Sequence, residues 1–213
     1  KSQKKNDSFF YKKNILITGA SGFIGSWLVN ELISHDSFIF TLSRKYSDSF
    51  KLINNEKIKK IKQYIGNIHE ISSITRILDS TSIDIIFHLA AVNTNYGTNY
   101  SPLGIFETNV RGTYNVLESA RNFSNGNITV VTLSSREVEE NMKNTSKKNS
   151  AYHPYAISKQ CSDMLCRSYA HTYNMNICIL LSSNVYGGGQ LNWERIIPGT
   201  IRSLNNKETP VIR

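Results

Sequence analysis

Apolar positions along the chain follow two alternating rhythms. Asn14-Ile15-Leu16-Ile17-Thr18 is a short apolar run ending in a glycine-rich turn. Phe23, Ile24, Trp27, Leu28, Leu32 and Ile33 then recur at helical spacing, which predicts a strand, a turn and a helix. Ser37–Ser43 predicts a second strand and Ile58–Ile65 a third, joined by a polar, lysine-rich connection with room for a short helix. Ile71, Ile74, Ile77 and Leu78 form a helical stripe ahead of an apolar strand over Ile83–Leu89. Beyond a loop rich in Asn, Tyr and Gly, residues 102–123 read as one long helix that buries Ile105, Phe106, Val110, Tyr114, Val116 and Leu117. Ile128–Ser134 predicts a strand, the polar stretch 139–150 a surface loop, and 154–173 a helix. Ile177–Leu181 is a sixth strand, followed by Gly187-Gly188-Gly189.

Strands that alternate with helices imply a parallel sheet, because parallel neighbours need crossover connections and these lay helices over both faces. The predicted fold class is therefore α/β, a doubly wound parallel sheet. Its 213 residues suit one compact domain able to bury a core without disulfide or metal. The expected organisation is a basic tail over residues 1–13 and a dinucleotide-binding domain over 14–213, with a substrate-binding region beginning at about residue 184.

Composition narrows the function classes. Hydrophobic residues make up 39% and charged residues 19%, ordinary for a globular protein, and no apolar run is long enough to span a bilayer. The first thirteen residues lack the apolar centre of a secretion signal and read as a solvated tail, so cytoplasm is the default location. Cys161, Cys166 and Cys178 fall in apolar patterns without metal-ligand spacing, which predicts core packing in a reducing compartment and no metal site. The net charge of +9 is concentrated in residues 1–13 and 44–62. No interleaved aromatic pattern or recognition helix accompanies those stretches, so nucleic acid is not an expected partner.

The chemistry begins at Gly19-Ala20-Ser21-Gly22-Phe23-Ile24-Gly25. Three glycines between a strand and a helix permit a tight turn, close approach of backbone to a pyrophosphate, and close packing of the helix on the strand. The helix N-terminus then presents its N–H groups and dipole to phosphate. Past the second strand the chain offers Ser43-Arg44-Lys45 and no acidic residue. An acid there would hold a ribose 2′-hydroxyl, whereas cations suit a 2′-phosphate, so the expected cofactor is NADP or NAD with NADP slightly preferred.

Thr18–Gly25 resembles the T-G-x-x-G-F-I-G signature of the extended short-chain dehydrogenase/reductase family, the group that holds nucleotide-sugar epimerases and dehydratases. Further matches follow in order: Gly66-Asn67-Ile68 where the family often has Gly-Asp-Ile, His88-Leu89-Ala90-Ala91, Thr108-Asn109-Val110, Ser134-Ser135, Tyr155-Ala156-Ile157-Ser158-Lys159 and Asn184-Val185-Tyr186-Gly187. The resemblance spans about residues 14 to 213. It implies cofactor contacts from Gly19, Ser21, Gly22, Phe23, Ile24, Gly25, Arg44, Lys45, Asn67, Ile68, Leu89, Ala90, Ala91, Asn109, Tyr155 and Lys159.

Tyr155 and Lys159 stand four residues apart and would share one face of a helix. An ammonium beside a phenol favours the phenolate and lowers a pKa that is otherwise about 10, making Tyr155 a usable acid/base. Tyr152 has no lysine four residues on. The resemblance implies that Ser135, with Ser134 beside it, holds the substrate oxygen, that Lys159 also holds the nicotinamide ribose, and that hydride leaves sugar C4. At Ser135-Arg136-Glu137-Val138, where 4,6-dehydratases often carry Asp-Glu, only the second carboxylate is present. Glu137 is then the candidate C5 base, while Arg136 does not titrate and cannot serve as the leaving-group acid. An epimerase needs no such acid, and the choice between epimerase and dehydratase stays open.

Residues 184–198 resemble a segment of CDP-glucose 4,6-dehydratases, with Trp193 displaced. This implies Asn184 and Arg195 as contacts to the nucleotide-sugar diphosphate, although Leu181 stands where many relatives have arginine. Relatives carry a smaller C-terminal region that closes over the sugar, and most of it is expected to be absent from this chain. The expected function is an NAD(P)-dependent nucleotide-sugar epimerase/dehydratase, most like a 4,6-dehydratase, acting on a nucleotide sugar as a homodimer and independent of membranes. The alternative is a truncated relative that binds dinucleotide without turnover.

Overall fold

The computed structural model describes residues 8–46, 59–92, 101–124, 127–135, 152–190 and 192–210. Its elements run β1 (Asn14–Thr18), α1 (Phe23–Ser34), β2 (Phe38–Ser43), β3 (Ile61–Ile65), α2 (Ile71–Ser80), β4 (Ile85–His88), α3 (Pro102–Phe106), a π-helical segment (Glu107–Arg111), α4 (Gly112–Ser124), β5 (Thr129–Ser135), α5 (Pro154–Tyr173), β6 (Ile177–Ser182) and α6 (Ile196–Asn205). The polar stretches expected between β2 and β3 and over 139–150 lie largely or wholly outside the described residues.

The six strands form one sheet in the order β3-β2-β1-β4-β5-β6, every neighbouring pair parallel. The predicted doubly wound parallel sheet is thus observed. β1 and β4 are buried almost throughout, as central parallel strands must be, whereas the edge strands β3 and β6 are half-exposed. Val29, Leu32 and Ile33 of α1 pack on Ile15, Ile17, Ile39 and Phe87 on one face. On the other face, Ile74, Ile77 and Leu78 of α2, Val116, Leu117 and Ala120 of α4, and Cys166 of α5 enclose Leu16, Ile86 and Val130.

Three expectations need correction. The long helix over 102–123 is interrupted at Glu107–Arg111 by a π turn, in which Gly112 N–H reaches back five residues to Glu107 O. Residues 8–13 do not float free. The Phe10 ring lies 6.3 Å from that of Phe87, Ser37 Oγ donates to Phe10 O at 2.7 Å, and Lys13 Nζ pairs with Asp84 at 3.2 Å. Of the three thiols only Cys166 is buried in the core; Cys161 is half-buried and Cys178 exposed. Strand alternation puts Cys178 on the face of β6 opposite Ile177 and Ile179, together with the exposed Leu180.

Strand order reverses between β1 and β4, the place where an open α/β sheet leaves a crevice at the carboxyl ends of its strands. The segments after β1, β2, β3, β4 and β6 and the last residue of β5 supply most of the sequence-predicted site residues.

Candidate active site

The turn after β1 closes only because particular side chains are missing. Gly19 sits at φ +74, and a Cβ there would stand 2.7 Å from Ala90 N and from Leu89 C. A Cβ on Gly25 would strike Gly19 O and stand 2.8 Å from Ala20 Cα. The first turn of α1 is therefore pressed onto the end of β1, beside the β1–β4 crevice. Gly22 forms the N-cap and carries no side-chain acceptor, and α1 has no acidic residue in its first turn. N–H groups and a positive dipole end face that crevice, an arrangement that fits a pyrophosphate. Ser21 is exposed on the turn, with Phe23 and Ile24 half-buried behind it.

Around this cradle the other expected residues take defined places. Arg44 and Lys45 are exposed just past β2, where Ser43 Oγ donates to Lys45 O at 2.7 Å. Asn67 stands past β3, its Oδ1 accepting from His69 N–H at 3.2 Å. Ile68 is core: a Cβ on Gly112 would meet its Cγ1 at 3.1 Å, and Asn115 Nδ2 donates to its carbonyl at 2.9 Å. Leu89 N–H donates to Thr18 O at 3.1 Å and Ala90 N–H to Thr18 Oγ1 at 3.3 Å, which fixes the backbone of 89–90 beside the glycine turn; Ala91 is exposed.

Asn109, in the π segment, is buried and fully engaged. Its Oδ1 accepts from Val92 N–H at 2.8 Å, and its Nδ2 donates to Val92 O at 3.0 Å and to Ser158 Oγ at 2.8 Å. The wider π turn also frees its carbonyl, which Thr113 Oγ1 takes at 2.5 Å and Ser162 Oγ at 2.7 Å. The structure thus gives Asn109 the task of holding the segment after β4 to α5.

α5 starts at Pro154 with His153 as its cap, whose Nδ1 accepts from Tyr155 N–H at 3.3 Å. Tyr155 and Lys159 lie one turn apart on this helix, both half-buried, and Ser158 Oγ donates to Tyr155 O at 2.7 Å. Lys159 Nζ donates to Leu133 O at 2.6 Å, bringing this turn against the end of β5 two residues before Ser135. Burial pushes the Lys159 ammonium below the usual lysine value, opposed by the charge of Asp163. Ser134 is committed elsewhere, its Oγ donating to Asp163 Oδ2 at 2.6 Å, while alternation turns the half-buried Ser135 the other way. Tyr152 is 75% exposed. Glu137 and Arg136 lie outside the described residues.

Past β6, Arg195 Nη1 donates to Asn184 Oδ1 at 3.0 Å, so the two expected substrate contacts adjoin each other. Trp193 is half-exposed, with the Arg202 guanidinium 5.5 Å from its ring centre.

Sequence reasoning missed the buried connection between the glycine turn and α5. His88, at the end of β4, contacts Thr18 Oγ1 through Nδ1 at 2.8 Å and Thr113 Oγ1 through Nε2 at 3.2 Å. Thr113 spends its hydroxyl proton on Asn109 O, so Nε2 carries the ring proton and Nδ1 accepts from Thr18. Burial first, and the charge of Lys159 second, press the imidazole pKa down to about 3, which keeps it neutral. The available signal was a histidine ending an otherwise apolar strand, Ile85-Ile86-Phe87-His88.

A sheet in this order, with a glycine cradle at its switch point and a Tyr-x-x-x-Lys turn tied to the end of β5, defines a Rossmann-type dinucleotide-binding protein. The model of the NAD dependent epimerase/dehydratase family matches residues 15–213, and the chain belongs to that family. The dTDP-D-glucose 4,6-dehydratase of Dictyostelium discoideum is 31% identical over 227 residues, covering 97% of this chain and 51% of its own length. A UDP-N-acetylglucosamine 4-epimerase from Methanobrevibacter ruminantium M1, solved in complex with UDP-N-acetylmuramic acid, superposes with a TM-score of 0.78 at 27% identity, covering 95% of this chain and 66% of its own. DesIV, a dTDP-glucose 4,6-dehydratase from Streptomyces venezuelae solved with NAD and TYD bound, gives a TM-score of 0.71 at 27% identity, covering 92% of this chain and 63% of its own. The chain spans 61%, 51% and 63% of three curated relatives that it matches. Among the described residues, no helix is long and apolar enough to cross a membrane, and no cluster of His, Cys, Asp and Glu could hold a metal ion.

Proposed function

We propose that the chain is an NAD(P)-dependent nucleotide-sugar epimerase/dehydratase, most like a 4,6-dehydratase. The observation that carries this reading is the placement of the Tyr155–Lys159 turn, tied by Lys159 to the end of β5, two strands from the glycine cradle on β1. Gly19, Gly22 and Gly25 hold the pyrophosphate of the dinucleotide at the N-terminus of α1, with Ser21, Phe23 and Ile24 lining the turn. Asn67, Ile68 and Leu89–Ala91 border the rest of the cofactor, and Asn109 holds that border in place. Bound there, the nicotinamide supplies hydride-acceptor chemistry at sugar C4.

The protein's own groups handle the proton and the sugar. Tyr155 takes the proton of the 4-hydroxyl, Lys159 favours its phenolate and steadies the nicotinamide ribose, and Ser135 holds the same oxygen. Asn184 and Arg195 bind the substrate diphosphate, a task that suits a guanidinium. Glu137 serves as the base at C5. NAD is the better supported cofactor, since DesIV was solved with NAD. The leaning toward NADP rests on Arg44 and Lys45 alone and finds no support in the solved neighbours.

The test is incubation with CDP-, dTDP- and UDP-glucose, with NAD and NADP in parallel, following a 4-keto-6-deoxy product. Tyr155→Phe is expected to lower turnover by about 10²–10⁴; unchanged turnover overturns the assignment. The short span relative to the relatives favours a second reading, binding of dinucleotide without turnover. Calorimetric binding of NAD with no product from any of the three sugars supports it. Homodimer formation, consistent with exposed Leu103 on α3 and Met164 on α5, is checked by light scattering, with twice the chain mass expected.

A further inference from the structure

The outer face of α1 carries a contact that the cradle itself does not require. Phe23 and Trp27 lie four residues apart, one turn along the same face. Trp27 Nε1 donates to Gly188 O at 2.9 Å, bridging the helix to the loop after β6. A Cβ on Gly188 would stand 3.6 Å from Trp27 Cζ2, and one on Gly187 would stand 3.7 Å from Phe23 Cζ, so the glycine loop runs close beside both rings with little more than a methyl's space between. Gly189, at φ +81, then turns the chain toward Asn192 and Arg195. The Trp27 ring is 46% exposed, so this large side chain adds little to the core, and its defined polar contact is with the loop.

The same loop begins at Asn184 and ends where Arg195 caps α6, and those two side chains are hydrogen-bonded to each other. We infer that Trp27 is a positioning residue that latches the 187–189 loop onto α1, so that the helix cradling the dinucleotide also sets the Asn184–Arg195 pair that receives the nucleoside diphosphate. This rests on the function proposed above. The latch needs the indole N–H as donor; the ring alone supplies only the flat contact.

Trp27→Phe keeps an aromatic ring at the position and deletes the donor. Calorimetry on the full chain, with NAD present, would titrate UDP, dTDP and CDP into wild type and variant. The expected result is nucleoside-diphosphate binding weakened about three- to tenfold, the worth of one hydrogen bond, with NAD affinity changed less than twofold. Equal nucleoside-diphosphate affinities overturn the latch, as does a parallel loss of NAD affinity, which would make Trp27 a mere support of α1. If wild type binds neither NAD nor any of the three diphosphates, the functional reading has failed and the latch is decided on the free protein. With ¹⁵N-labelled tryptophan, the indole signal absent from Trp27→Phe belongs to Trp27. Slow exchange of that N–H with solvent supports the latch, and exchange at the rate of a free indole overturns it.

Discussion

Asn109 shows how much a single side chain can settle. Its amide joins Val92 on the segment after β4 to Ser158 on α5, with both of its N–H donors spent. Asn109→Ala leaves the Val92 backbone groups and the Ser158 hydroxyl without these partners, and unfolding in urea is expected to show a loss of roughly 1–3 kcal/mol. A loss below about 0.5 kcal/mol, the low end for one net hydrogen bond, would mean that water replaces the amide. At this scale the sequence was informative wherever function needs a local spacing. Tyr155 and Lys159 one turn apart, and the glycines of the cradle, could be read directly. It was silent on partners distant in the chain: Thr18 with His88, Trp27 with Gly188, Lys159 with Leu133. No periodicity carries such pairings, because they depend on which strands become neighbours.

At the scale of elements, the strands and most helices were legible because each buries an apolar face at its own period. The π segment was not. Ile105, Val116 and Leu117 are buried as the helical period requires, and the π turn shows only in Tyr114, expected on the buried side but 38% exposed. Its cause is chemical rather than hydrophobic, since the wide turn releases the Asn109 carbonyl to the hydroxyls of Thr113 and Ser162. Residues 8–13 were misread for the opposite reason. Their lysines suggest a solvated tail, yet Phe10 finds an apolar seat against Phe87 that only the assembled sheet provides.

For the whole molecule, alternation of strand and helix indicated a parallel doubly wound sheet, and the observed strand order completes it by setting β1 beside β4. That adjacency places His88 between Thr18 and Thr113 and makes global stability depend on one proton. The imidazole titrates near 6.5 when the chain is unfolded, and folding lowers this to about 3, chiefly by burial. A depressed pKa means that the unfolded chain binds the proton first, so this contribution to stability is intact above about pH 6.5 and is lost as pH falls toward 3. Between pH 7.5 and pH 5.0 the shift costs about 2 kcal/mol. Glu118, held down to about 2 mainly by its hydrogen bond from Arg121, loses its contribution only as pH falls below the usual carboxylate value of 4.5, outside this interval. Urea unfolding at the two pH values should therefore show wild type losing about 2 kcal/mol more than His88→Gln, whose amide can donate and accept but does not titrate. Equal losses in the two proteins would show that the folded state accepts the proton at His88 without cost, and that burial and the Lys159 charge do not hold the ring neutral.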